Sequence, residues 1–376
     1  MTLGVEEEYL LLDVESGRPT PRASMVRDDA GIEPGLGRHE VDDELLQAQV
    51  EVATPVCERL DEVASHLTRF RRALADVAEG EGCWLAATGA APSSEPRGVP
   101  VTSGERYRRM RVDAPRLVDE QLICGMHIHV GVPDPAAGAG ALGRIRPWLP
   151  VLVALGGNSP FWEGRDTGFS SWRTVVFGRW PVSGPPPFVA DGDAYEERVE
   201  ALMATGVIPD RGQIYWQARL SETYPTLEVR APDVQLDVAD AVTLAGLTRA
   251  LVTTALREAA DGVPPLDPPA SILHAAGWHA ARHGLSGTLV DPRCGRPSAA
   301  SEVVDALLHH VGAALEGSGD AERVGAGVRR LLDEGTGAVR QRAAEAEGSL
   351  KALLELVTQT GRRSGRQGRN PDERVE

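Results

Sequence analysis

Alternating apolar and polar positions dominate the first 55 residues. Over 4–13, Val5, Tyr9 and Leu11 fall on one side of a strand, and Glu6, Glu8 and Leu10 on the other. A second strand is expected from about Leu45 to Thr54, with Pro55 closing it. Helical spacing follows: Leu60, Val63, Leu67, Phe70 and Leu74 mark an amphipathic helix over 58–79. Residues 83–89 read as a short buried strand, 106–124 as mostly helical, and 125–132 as a further strand. A Gly/Pro-rich stretch over 156–187 holds Trp162, Trp172 and Trp180, with Trp148 just before it. Long irregular segments inside a compact chain usually form functional loops. Strand patterning returns over 207–229, and helices are expected at about 238–261, 269–283, 299–315, 320–334 and 336–359. Strands with long loops first and helices afterwards predict an α+β architecture with a mostly antiparallel sheet. Residues 1–360 read as a single catalytic domain, and the apolar-poor segment 361–376 as a disordered tail.

Charge narrows the function. With 39 Lys+Arg against 55 Asp+Glu, the net charge is −16. That argues against a protein that works by neutralising nucleic-acid phosphates. No apolar run is read as long enough to span a bilayer, and the start MTLGVEEEYL lacks the basic region of a secretory signal. Cys57, Cys83, Cys124 and Cys294 are scattered with no CxxC, which suggests reduced thiols in a cytoplasmic protein. There is no GxGxxG after a strand and no GxxxxGK[ST], so nucleotide-binding α/β folds lose their main support.

Five short segments carry chemistry. Glu6 and Glu8 project from one strand face about 7 Å apart, with Glu7 on the other. Paired carboxylates repel unless a cation neutralises them, and Mg²⁺ prefers such oxygen ligands; the alternative is a solvated edge strand. Glu44 and Glu51 lie in DDELLQAQVEVATP, where Glu51 interrupts an apolar strand between Val50 and Val52. His127 and His129 share a strand face, suited to a metal or to a phosphate or carboxylate. Glu228 and Arg230 also share a face, either as a structural ion pair or as a metal ligand beside a phosphate-gripping guanidinium. Asn158-Ser159-Pro160 and Ser171-Trp172-Arg173 bracket an aromatic loop in which Arg165 and Arg173 are candidate substrate contacts. His274, His279 and His283 on one helix are read as surface or packing positions, and His309-His310 as lying near a helix end. A sheet face carrying all these carboxylates would be unstable without cations; several divalent ions bound to a polyphosphate would satisfy it.

The ordered segments GVEEEYLLLD, ELLQAQVEVATPVC, CGMHIHVGV, GGNSPFWEGRDTGFSSWR and PTLEVRAPD resemble the glutamate–cysteine ligase type 2 family, and most closely its YbdK-type carboxylate–amine ligases. The resemblance implies a glutamine-synthetase-like fold, a curved antiparallel sheet with helices packed outside. It implies ATP with two or three Mg²⁺ and an amino-acid substrate. Carried over residue by residue, it implies metal ligation by Glu6, Glu8, Glu51, His127 and Glu228, with Glu44 binding through water. Arg230 is implied to contact the transferring phosphoryl group, Arg173 substrate or phosphate, and His129 the nucleotide site. His279 departs from the family, where a basic residue is expected. The implied activity is amide-bond formation between a carboxylate, that of glutamate, and an amine such as that of cysteine, through an acyl phosphate. Partners are then small molecules, without nucleic acid or membrane, and a homo-oligomer is compatible with it. Three other readings stay open: a ligase for a different carboxylate and amine, a metal-dependent amide hydrolase built on His127 and His129, and a nucleotide-sensing binding protein.

Overall fold

The computed structural model describes residues 1–30, 40–93 and 98–359. Its main sheet has seven strands: β1 (Leu3–Asp13), β2 (Val41–Asp43), β3 (Gln49–Ala53), β4 (Cys83–Ala86), β5 (Met126–Gly131), β6 (Ala218–Leu220) and β7 (Thr226–Val229). They run in the order β6-β7-β5-β1-β3-β2, with β4 pairing a second stretch of β1, and every pairing is antiparallel. The mostly antiparallel α+β expectation holds.

Side-chain alternation gives this sheet two unlike faces. The rear face carries Val5, Tyr9, Val50, Val52, Met126, Ile128, Val130, Leu227 and Val229, all buried. Against it pack the helices Leu60–Gly80 and Val238–Ala260. The front face carries Glu6, Glu8, Glu51, His127, His129 and Glu228. Helix Val238–Ala260 is long and apolar enough to cross a membrane, a feature the sequence reading passed over. Here it is the central core helix, enclosed by the helices Leu60–Gly80, Pro135–Ile145, Ala300–Ser318 and Ala321–Glu334.

Glu7 is the exception on the rear face. It is fully buried, and Arg71 answers it with Nη2 at 2.5 Å and Nε at 3.0 Å. The Tyr9 hydroxyl also donates to Glu7, while Arg71 donates to the carbonyls of Gln235 and Leu236, each at 2.9 Å. One buried guanidinium thereby ties β1, a core helix and the segment after β7 together.

Three boundaries differ from expectation. Residues 45–48 form a buried turn between β2 and β3 rather than the start of a strand. Leu45, Leu46 and Ala48 are apolar because they are buried, not because they are extended. The 106–124 segment splits into helices Glu105–Asp113 and Pro115–Asp119, because Ala114 precedes a proline and takes φ −141°. His309 and His310 lie inside helix Ala300–Ser318, not near its end; the His310 ring stacks on Trp148 at 5.2 Å. The tail expected over 361–376 lies outside the described residues.

Candidate active site

The front face is concave and bounds a cavity of about 310 Å³. Cross-strand pairing brings its ionisable groups together in a row. Glu8 stands directly opposite Glu51, Glu6 opposite His127, His129 opposite Glu228, and Glu228 opposite Arg219. Glu44, from the turn after β2, lines the same cavity. Like charges directly opposite one another are destabilising in a sheet, so the Glu8–Glu51 pair calls for a neutralising partner.

Protonation follows this geometry. Burial would raise Glu6, but the imidazoles of His127 and His129 outweigh it and hold its carboxyl well below the usual range. His127 Nδ1 lies 3.0 Å from Glu6 Oε2, and His129 Nε2 lies 3.1 Å from Glu6 Oε1 without the alignment of a hydrogen bond. Burial lifts Glu51 well above the ordinary range, reinforced by the charges of Glu6, Glu44 and Glu8. Glu44 rises to about 7 through burial and the charge of Glu8. Burial also works against ionised Glu228, yet Arg230 and Arg219 keep it well below the usual carboxylate range. Arg219 Nε donates to Glu228 at 2.8 Å, and Arg230 Nη1 donates to the other carboxylate oxygen.

These side chains fit divalent cations. Donor atoms of Glu6, His129 and Glu228 lie within 4.8 Å of one another, and so do those of Glu6, Glu51 and His127. The Nε2 atoms of both histidines are buried without a hydrogen-bond partner. A carboxylate on Nδ1 orients an imidazole so that Nε2 presents its lone pair, as His127 does here.

Beyond the acidic row stands an arginine pair. Arg173 donates from Nη1 and Nη2 to the Arg230 carbonyl, both at 3.2 Å, and its guanidinium crosses Gly125. A side chain at Gly125 would meet Arg173 Nη2 at 2.2 Å, so this strand start is glycine by close approach. Asp233 holds the arrangement. It accepts from Asn158 N and Ser159 Oγ through one oxygen, at 2.8 and 2.7 Å, and from Ser171 Oγ through the other at 2.8 Å. Ser159 Oγ in turn accepts from Arg173 N at 3.0 Å. The Asn158-Ser159, Ser171–Arg173 and Ala231–Asp233 segments, separate in the sequence, are thus one hydrogen-bonded hub.

Nine of the site residues expected from the sequence line this cavity: Glu6, Glu8, Glu44, Glu51, His127, His129, Arg173, Glu228 and Arg230. Arg165 does not; it sits exposed in a small hairpin. His279 stays on its own helix, with Nε2 2.8 Å from the Thr288 carbonyl. Sequence reading missed Arg219, Arg106, Gln49, Tyr107 and Tyr215; Phe177 and Trp180, from the 156–187 stretch read as a functional loop, complete the aromatic end with the two tyrosines. Arg219 had a signal in the alternation of Ala218-Arg219-Leu220 beside Glu228; the aromatics come from separate elements, Tyr107 and Phe177 from two helices, Trp180 from a bend and Tyr215 from a short strand, and no local pattern joins them.

Comparison with known proteins places this geometry in a family. The model of glutamate-cysteine ligase family 2 matches residues 2–356. A protein of Saccharopolyspora erythraea named "Putative glutamate–cysteine ligase 2-1" is 43% identical over 342 residues, covering 91% of this chain and 89% of that protein. The Streptomyces coelicolor protein "Putative glutamate–cysteine ligase 2" is 40% identical over 358 residues, covering 94% and 97%. Among solved structures, a Francisella tularensis glutamate–cysteine ligase in complex with AMP has a TM-score of 0.69 at 13% identity, covering 95% of this chain and 87% of that one. A bifunctional glutathione synthetase from Pasteurella multocida has a TM-score of 0.64 at 16% identity, covering 96% and 52%. At such identities the likeness to the two solved structures is one of fold, whereas the match along nearly the whole sequence is one of descent: this chain belongs to glutamate–cysteine ligase family 2.

Proposed function

We propose that residues 1–360 form an ATP-dependent carboxylate–amine ligase that joins an amino-acid carboxylate, that of glutamate, to an amine. The observation that carries this reading is the Glu8–Glu51 pair facing across one sheet beside two buried, unpartnered imidazole nitrogens, with Arg173 and Arg230 just beyond. Glu6, Glu8, Glu51, His127, His129 and Glu228 would hold Mg²⁺, with Glu44 reaching it through water; such cations would supply charge neutralisation to the phosphates of ATP. Arg230 steadies the γ-phosphoryl group and Arg173 the substrate carboxylate, both by the forked guanidinium geometry. A substrate carboxylate oxygen attacks the γ-phosphorus and ADP leaves. The amine then attacks the acyl carbon of the acyl phosphate, and phosphate departs. Positioning and charge neutralisation suffice for such transfers. A cysteine nucleophile has no support: Cys124, the thiol beside the HxH strand, is buried and pushed well above its ordinary pKa by burial. All four cysteines are free, which accords with a cytoplasmic protein.

The direct test is ADP release with ATP and Mg²⁺ across amino acids, singly and in pairs. Amide hydrolysis without ATP would replace the ligase by a hydrolase.

Arg230→Lys separates a catalytic arginine from a structural one. Lysine keeps the charge but not the fork. The expected result is a fall in kcat of about 10²–10³ with little change in the KM for ATP. Normal turnover in a variant that melts early would instead mark Arg230 as a structural partner of Glu228.

Proton linkage gives a second prediction. Glu44 titrates near 7 in the folded chain against an ordinary 4.5. The folded form therefore binds more protons over that interval, and the metal-free protein loses stability as pH rises through it. Cation binding needs the carboxylates ionised, so Mg²⁺ affinity should rise as pH increases toward 7 and beyond, with protons released. Calorimetry in buffers of different ionisation enthalpy measures that release; a pH-independent affinity with no proton exchange would contradict it.

A further inference from the structure

Gln49 opens β3 and, two residues before Glu51, shares the cavity face. The residue is 1% exposed, and its side-chain amide is fixed from one side. Nε2 donates to the Ile123 carbonyl at 2.7 Å and lies 3.8 Å from Cys124 Sγ. A flipped amide would set two carbonyl oxygens against each other, so the orientation follows from chemistry. Oε1 is consequently left buried and without a partner, on a residue that lines the cavity. Buried carbonyl oxygens are nearly always hydrogen-bonded, and an orphan in a native site needs an explanation. The segment that holds Gln49 continues directly into Gly125, where the Arg173 guanidinium crosses the strand. An acceptor and a cation therefore flank the same three residues, a pairing complementary to a zwitterion.

We propose that Gln49 is a specificity-determining residue whose Oε1 accepts a hydrogen bond from an N–H of the amino-acid substrate. This rests on the ligase reading above and extends it: the site selects substrates that carry an amino group as well as a carboxylate. That N–H belongs either to the α-ammonium of the amino acid whose side-chain carboxylate is activated or to the attacking amine. A site built to hydrogen-bond a substrate group rejects the analogue that lacks it, because the protein group stays unpaired.

The experiment compares L-glutamate with glutarate, its analogue without the amino group, in ATP-dependent ADP release by the wild type, Gln49→Leu and Gln49→Met. Hydroxylamine as a common acceptor keeps the second substrate constant, and a parallel arm varies the amine at fixed glutamate. Each result is a ratio of kcat/KM values, which cancels any loss of folded protein. The wild type should prefer glutamate, and both variants should lose on the order of 10- to 100-fold of that preference, with the KM for ATP unchanged. A loss confined to the amine arm would assign the contact to the attacking amine. Variants that keep the wild-type ratio in both arms, as they would if only a trapped water meets Oε1, overturn the role of Gln49 and leave the ligase reading intact. A wild type that consumes ATP with no amino acid overturns both.

Discussion

Glu6→Gln should reduce ADP release by about 10³-fold and leave the chain folded. Glu6 belongs to both candidate cation sets and touches both histidines, so its loss disrupts the whole row rather than one corner. Glutamine is nearly isosteric and keeps an acceptor, which confines the change to charge. The independent readout is thermal. Mg²⁺ should raise the melting temperature of the wild type by mass action, and the variant should lose most of that rise. A Glu6→Gln protein with wild-type turnover at saturating Mg²⁺ would remove Glu6 from the ligand set.

The largest effect on stability is expected on the opposite face. Arg71→Ala strands the buried Glu7 carboxylate and removes the arginine donor from two carbonyls, those of Gln235 and Leu236. Breaking one partner of a buried pair costs about 3–5 kcal/mol, because the other charge is left uncompensated. Urea denaturation should show a loss of that size. Replacing both partners, as in Glu7→Leu with Arg71→Met, should recover much of it. A loss below about 1 kcal/mol in Arg71→Ala, within the range of an exposed ion pair, would show that water reaches Glu7.

The acidic row was legible in the sequence because strand alternation is local. Glu6 and Glu8, or His127 and His129, need only a period of two to share a face. Their convergence was not local, since it depends on which strand pairs with which and in what alignment. A single sheet face gathering them was expected from the recurrence of the pattern on four strands, and the pairing of Glu8 with Glu51 and of Glu6 with His127 gives it a geometry. Other features escaped because their signals were ambiguous. Leu45 and Leu46 read as strand but are the buried turn that places Glu44. Helix Pro135–Ile145, rich in Ala and Gly, has little amphipathic pattern because its neighbours bury most of its length. Asp233 stood three residues after Arg230 with no hint that it gathers Asn158, Ser159 and Ser171. Gln49 was invisible because a glutamine in a strand says nothing until its amide is found half-satisfied.

The three consecutive glutamates of β1 also act during folding. A slip of one residue between β1 and its neighbours would turn every side chain to the opposite face. Glu6 and Glu8 would enter the apolar layer, where Arg71 is the buried cation that bonds β1. Tyr9 and Leu11 would meanwhile face the acidic cavity. Native alignment gives Glu7 to Arg71 and leaves its two neighbours to the open side; the shifted alignment leaves two carboxylates to share one guanidinium. The glutamate triplet thus selects against misaligned sheets before any cation or substrate arrives, so the arrangement that makes the site also fixes which strand pairing can survive.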